Sequence, residues 1–241
     1  MPPELALDPA ARAAYPFMRL SGPANVLIMP AIHSASISTK LLQALGEVLR
    51  VIDPTPGGRV MGMNVLLAKG RTLFIADTNV TEMPDADDLV EIAIEAANTV
   101  RRLGHQPRLA FLSYSAFGNP MGERAEKVRD AVAMLDEMEG LDFEYEGEMP
   151  PELALEPEAR AAYPFMRLSG PANVLIMPAI HSASISTKLL ASLGAATVVG
   201  PILVGLAKPV QICPLGASVT KILMMAQMAA YEEPLAEPHA G

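Results

Sequence analysis

The chain has 241 residues, 51% of them hydrophobic and 19% charged, enough to bury a sizeable core as one domain or two small ones. Eighteen Lys and Arg against 27 Asp and Glu leave a net charge of -9, which argues against a nucleic-acid partner, because counterion release needs clustered cations. A single cysteine, Cys213, makes no internal disulfide, and without a signal peptide the expected compartment is a reducing cytoplasm.

Residues 1 to 46 recur as residues 149 to 194 with four changes: Asp8 to Glu156, Ala10 to Glu158, Gln43 to Ala191 and Ala44 to Ser192. Two copies separated by about a hundred unrelated residues do not stack into a solenoid. Each copy reads as helix, buried strand, helix. In the first, residues 1 to 15 form a short helix ending before Pro16, since the residue preceding a proline is pushed out of the helical region. Ala24 to Met29 is a continuous apolar run of strand length, the pattern of a strand covered on both faces. His33 to Leu45 follows as a helix with Ile37, Leu41, Leu42 and Leu45 on one face.

Between the copies, two strands at about Val60 to Leu67 and Thr72 to Ala76 are joined at Lys69 and Gly70 as a tight hairpin. Asp85, Asp87 and Asp88 open a helix whose Leu89, Ala93, Ala96, Val100 and Leu103 repeat at alternating four and three spacing, with Arg101 and Arg102 before Gly104. Leu109 to Ser113 is the next strand. Gly122 to Met138 is the next helix, burying Val128, Val132 and Leu135 and spacing Glu123 and Lys127 for a surface pair. Phe143 to Tyr145 is a short strand before the second copy. After it come strands at Thr197 to Leu203 and Val210 to Cys213, then a methionine-rich helix from Ala217 to Tyr231. Strands alternating with helices define an α/β fold: three layers, with a largely parallel sheet that carries one hairpin. Three segments result: the duplicated piece at 1 to 46, a partial domain at 47 to 231 and an acidic tail at 232 to 241.

Familiar motifs are tested in turn. Gly200 to Lys208 has two glycines at phosphate-loop spacing, but the lysine is not beside the second glycine and no Ser or Thr follows it. No GxGxxG is present. Ser184 and Lys188 lie one helical turn apart, the spacing of a nucleophile and base; hydroxyls near a helix start more often cap its free amides. His33 and His181 lack a second ligand at metal spacing, so no metal is expected. Two loops follow strands at their carboxyl ends, where open α/β sheets bind ligands. These are Ser113 to Pro120, with Ser113, Tyr114, Ser115 and Gly118, and Pro214 to Val219, with Gly216, Ala217 and Ser218. Each is either an anion site at a helix start or a tight connection. Cys213, with nothing basic adjacent, reads as a buried structural thiol.

From about residue 47 to 231 the chain resembles the phosphotransacetylase family, most closely the phosphotransacetylase-like C-terminal domain of bacterial NADP-dependent malic enzymes. The matching words are RVMG (59 to 62), FIADTNVTEMP (74 to 84), SYSAFG (113 to 118), SGPANVLIMP (169 to 178), VVGPILVGLAKPVQ (198 to 211) and GASV (216 to 219). The resemblance implies a truncated isocitrate/isopropylmalate dehydrogenase-like fold, two α/β lobes around a cleft that takes coenzyme A thioesters, and a homo-oligomer, usually a dimer. It also implies a catalytic serine and arginine, with an aspartate as base on the coenzyme A thiol. Aligned through LysPro and GlyAlaSer, those positions hold Pro214, Leu215 and Lys221, and a threonine common in the first loop is Ala116. A proline cannot donate, a leucine cannot stabilise phosphoryl charge, and a lysine reverses the sign of the base. The resemblance therefore implies an acetyl-CoA-sensing regulatory domain that holds an oligomer together beside a malic enzyme catalytic domain, with no covalent cofactor and no metal. An active phosphate acetyltransferase is the alternative; a rearranged fragment that only associates is a third reading. Because the second copy runs directly into the strand at Thr197, it is expected to be the native segment. The first copy, lacking that neighbour, is expected to compete for the same place, to swap into a second molecule or to pack as an appendage.

Overall fold

The computed structural model describes residues 27–31, 45–46, 48–214 and 216–231. The helices expected at 1 to 15 and 33 to 45, apart from Leu45, and the tail at 232 to 241 lie outside them. Two compact units form, one of Gly57–Gly205 and one combining Met1–Pro56 with Leu206–Gly241.

The larger unit opens with the hairpin. Strands β2 (Met61–Ala68) and β3 (Arg71–Ala76) pair antiparallel, with Val65 opposite Phe74. Lys69 (φ 49) and Gly70 (φ 73) both adopt the left-handed conformation that a two-residue turn needs to match the strand twist. Helix α1 (Ala86–Arg102) starts where the sequence predicts. Asp85 accepts from the Asp88 amide at 2.8 Å and Asp88 accepts from the Asp85 amide at 3.0 Å, a reciprocal cap that satisfies two otherwise orphaned donors. Strand β4 (Arg108–Leu112), helix α2 (Glu123–Asp136) and strand β5 (Glu144–Met149) follow. Val128, Val132 and Leu135 are buried as expected, while no ion pair joins Glu123 to Lys127.

The second copy of the repeat begins at the end of β5. It folds into α3 (Pro151–Leu155), α4 (Pro157–Arg160), β6 (Val174–Ile176) and α5 (Ile180–Ser192), and the chain then enters β7 (Thr197–Val204). The six strands lie in the order β5-β4-β6-β3-β2-β7. β5, β4, β6 and β3 are mutually parallel, and β2 and β7 run antiparallel to their neighbours.

Strand alternation divides the core into two layers. Leu73, Ile75, Ala110, Leu112 and Leu175 share one face with Leu153 of α3 and Ala183 of α5. Phe74, Phe111 and Ile176, all nearly inaccessible, fall on the other face, where α1 packs across β3, β4 and β6. Each large apolar side chain so buried contributes about 1.5–3 kcal/mol. Gly147 is required by close approach, since a Cβ there would meet the Phe111 Cβ at 2.7 Å and its carbonyl oxygen at 2.9 Å.

In the smaller unit β1 (Leu27–Ala31) and β8 (Val210–Pro214) pair in parallel, from Leu27 opposite Val210 to Ala31 opposite Pro214. Helix α6 (Val219–Tyr231) packs on β8. Val48, Ile52 and Val210 are buried together against Leu206, and the Ala207 amide donates to the Asp53 carbonyl at 2.9 Å.

One expectation is corrected here. β7 does not lie beside β6; it closes the far edge of the sheet on β2, because the hairpin offers it an open edge that β6, flanked by β3 and β4, lacks. The strand of the first copy does lack β7 as its neighbour, as expected, and β8 supplies one instead in a separate two-stranded sheet. It is the second copy whose strand fills the place between β3 and β4.

Candidate functional site

Three parallel strands, β3, β4 and β6, deliver their carboxyl ends to one edge of the larger unit, the edge where open α/β sheets place ligands. The loop after β4 is shaped by a residue from the end of β5. Glu148 is fully buried, and its Oε1 accepts three hydrogen bonds: from the Ser115 hydroxyl at 2.7 Å, the Gly118 amide at 2.8 Å and the Arg129 guanidinium at 3.0 Å. Its backbone carbonyl accepts from the Phe117 amide at 3.0 Å, while the Ser113 amide donates to Met149 at 2.9 Å. Ser113 Oγ accepts in turn from the Ser115 amide at 3.2 Å. The second carboxylate oxygen of Glu148 is buried with no partner.

Ser115 and Gly118 are thus gathered on one carboxylate and Ser113 is held beside them through the Ser115 amide, whereas Tyr114 turns outward and is 62% exposed. The Phe117 ring packs against Tyr163 and Phe165 at centroid distances of 5.7 and 4.9 Å. Phe165 is itself 62% exposed, so an accessible aromatic surface adjoins the loop.

At the end of β3, Asp77 accepts from the amides of Gly62, Asn79, Val80 and Thr81. Burial raises its carboxyl above the ordinary 3.8 even though these amides pull it down. The loop it braces meets the start of α5, where the Ile180 amide donates to the Glu82 carbonyl at 3.3 Å. His181 Nε2 lies 3.8 Å from Glu82 Oε1 with both side chains exposed. Among the described residues no group of three or more His, Cys, Asp or Glu is placed to hold a metal. Ser184 and Lys188 form no hydrogen bond with each other. The α5 hydroxyls do not cap it either: Ser182 donates to the Ala179 carbonyl and Thr187 to the Ala183 carbonyl.

The second candidate loop lies in the smaller unit. Ser218 is exposed and serves as the cap of α6, its Oγ accepting from the Lys221 amide at 3.2 Å and its carbonyl from the Ile222 amide at 3.0 Å. Gly216 is exposed and Ala217 half-buried. Pro214 ends β8, and Leu215 falls outside the described residues. Cys213 is buried, and burial pushes its thiol up while Lys221, not adjacent in sequence, pulls the other way.

Glu148 and Arg129 are the residues that sequence reasoning missed. The one available signal was the alternation Glu144, Glu146, Glu148, which by itself reads as the solvent face of an edge strand.

With this fold and these loops the chain belongs to the phosphate acetyl/butaryl transferase family, which it matches over residues 1–49 and 43–230. Among individual proteins it is 54% identical over 188 residues to an NADP-dependent malic enzyme of Rhizobium meliloti (strain 1021), covering 78% of this chain and 25% of that protein. It is 31% identical to a phosphate acetyltransferase of Bacillus subtilis (strain 168) over 87% of this chain and 63% of that protein. The EutD phosphotransacetylase from Staphylococcus aureus superposes with a TM-score of 0.77 at 28% identity, covering 87% of this chain and 63% of that one. The chain spans about a quarter of the length of the malic enzyme and less than two thirds of either transferase. No described helix is long and apolar enough to cross a membrane.

Proposed function

We propose that this chain is a catalytically degenerate phosphotransacetylase-like domain that binds acetyl-CoA as a regulatory ligand, self-associates, and serves beside the catalytic domain of a cytoplasmic NADP-dependent malic enzyme. One observation carries the reading: the positions aligned with the family's catalytic serine, arginine and aspartate hold Pro214, Leu215 and Lys221. Acyl transfer between coenzyme A and phosphate moves a proton from the coenzyme A thiol to a base and spreads negative charge over the transferring group. Pro214 has no donor, Leu215 no charge, and Lys221 places a cation where a base is needed. What persists is recognition. The Ser113 to Gly118 loop is braced by Glu148, and the aromatic faces of Tyr114 and Phe165 are accessible, a combination suited to a nucleotide-bearing thioester. The high identity to the malic enzyme supports the parent context.

The alternative, a working phosphate acetyltransferase, is favoured by the matches to proteins of that name. Thioester formation from acetyl phosphate and coenzyme A separates the two. The proposal expects no turnover above the uncatalysed rate, and the triple variant Pro214→Ser, Leu215→Arg, Lys221→Asp is the chain in which turnover is expected to appear. Turnover by the unaltered chain would establish the alternative.

A further inference from the structure

The four positions at which the two copies differ correspond to Glu156, Glu158, Ala191 and Ser192 in the second copy, and all four are exposed. Every buried position of the second copy is identical in the first. Leu153, Ala172, Val174, Leu175, Ile176 and Ala183, for example, correspond to Leu5, Ala24, Val26, Leu27, Ile28 and Ala35. The polar contacts that fasten the second copy to the rest of its unit are duplicated as well. Asn173 accepts from the Arg108 amide at 2.7 Å and donates to the Gln106 carbonyl at 2.8 Å. The Arg167 amide donates to Glu146 at 2.9 Å, and the Ser169 amide to Glu144 at 2.7 Å. The first copy carries the same residues as Asn25, Arg19 and Ser21.

We infer that the place between β3 and β4 accepts either copy, so that residues 1–46 are an interchangeable second occupant of the site that residues 149–194 fill. The sequence LIMPA that pairs with β8 as Leu27–Ala31 is itself present again at 175 to 179. What decides the resting state is connection. The first copy is joined to β2 by residues 47–60, which reach about 46–50 Å when extended, more than the roughly 27 Å length of β2 itself. The tether is therefore long enough, and a tether of this length sets a local concentration in the millimolar range. Using it draws Val48 and Ile52 away from Val210, which keeps the second copy in place until that copy is damaged.

Three variants of the full chain test this: Leu175→Asp, Leu27→Asp and the double variant, followed by amide exchange in β3 and β4 and by light scattering. Leu175 is 5% exposed in the centre of the sheet, so a carboxylate there expels the second copy. Either single variant is expected to keep the protection of residues 74–76 and 109–111 within about tenfold of the unaltered chain, and the double variant to lose about a thousandfold or more. Leu175→Asp is expected to keep the unaltered chain's mass, since the replacement comes from its own polypeptide. A Leu175→Asp chain as unprotected as the double variant overturns the inference. So does a double variant that keeps full protection, because the site would then need neither copy, and so does rescue seen only at a doubled mass.

Discussion

The Ser115 hydroxyl donates to Oε1 of Glu148 at 2.7 Å, and both residues are fully buried. Strand β5 thereby reaches across 33 positions of sequence to set the shape of the loop that follows β4. Arg129 neutralises the carboxylate from α2 at 3.0 Å, so the loop, the strand and the helix meet at one oxygen.

Breaking this junction has a graded cost. Glu148→Ala leaves the Arg129 cation and two donors without their acceptor and is expected to destabilise the chain by about 3–5 kcal/mol. Ser115→Ala, which leaves two of the three bonds to Oε1, is expected to cost about 1 kcal/mol. Urea denaturation of the two single variants and the double variant checks this. The double is expected to fall short of the sum by about 0.5–3 kcal/mol, the signature of residues sharing one network.

Local rules made much of the fold legible. The Lys69–Gly70 turn, the α1 cap at Asp85 and the buried faces of α1 and α2 follow from backbone sterics, orphaned amides and helical spacing, all confined to a few neighbouring residues. Strand order is different in kind. Nothing near Thr197 states that β7 pairs with β2 across more than a hundred residues, or that β6 sits between β3 and β4. The candidate site divided in the same way. The loop Ser113 to Gly118 was visible because it follows a strand, whereas Glu148 was hidden because its charge reads as solvent-facing until Arg129 arrives from another element. Ser218, a ligand-binding candidate by its place after β8, caps α6 through its Oγ.

Glu95, buried on α1, gives a pH signature. Burial raises its carboxyl above the ordinary 4.5 against the opposing pull of Arg102 and Thr99. A raised carboxyl means that the folded chain holds the proton more tightly than the unfolded one, so the group's contribution to stability is fully present below 4.5 and is lost as pH rises through the folded value. The stability of the unaltered chain relative to Glu95→Gln is therefore expected to increase as pH falls from neutrality toward 4.5. Denaturant midpoints measured at several pH values check this, and the opposite slope would contradict it.

Cys213 is expected to resist chemistry. The thiol is 3% exposed and burial disfavours its thiolate. Alkylation of the folded chain at pH 8 should run at least about a hundredfold slower than in denaturant, since only the thiolate reacts. Lys221→Met should slow it further, because that cation draws the thiol down.

Calorimetric titration of the intact chain with acetyl-CoA bears most directly on the proposed function. A saturable heat with a Kd below about 1 mM, from a chain that makes no acetyl-CoA from acetyl phosphate and coenzyme A, is the result expected of a regulatory acyl-CoA domain. No heat at millimolar acetyl-CoA would contradict it and leave association as the function of this chain.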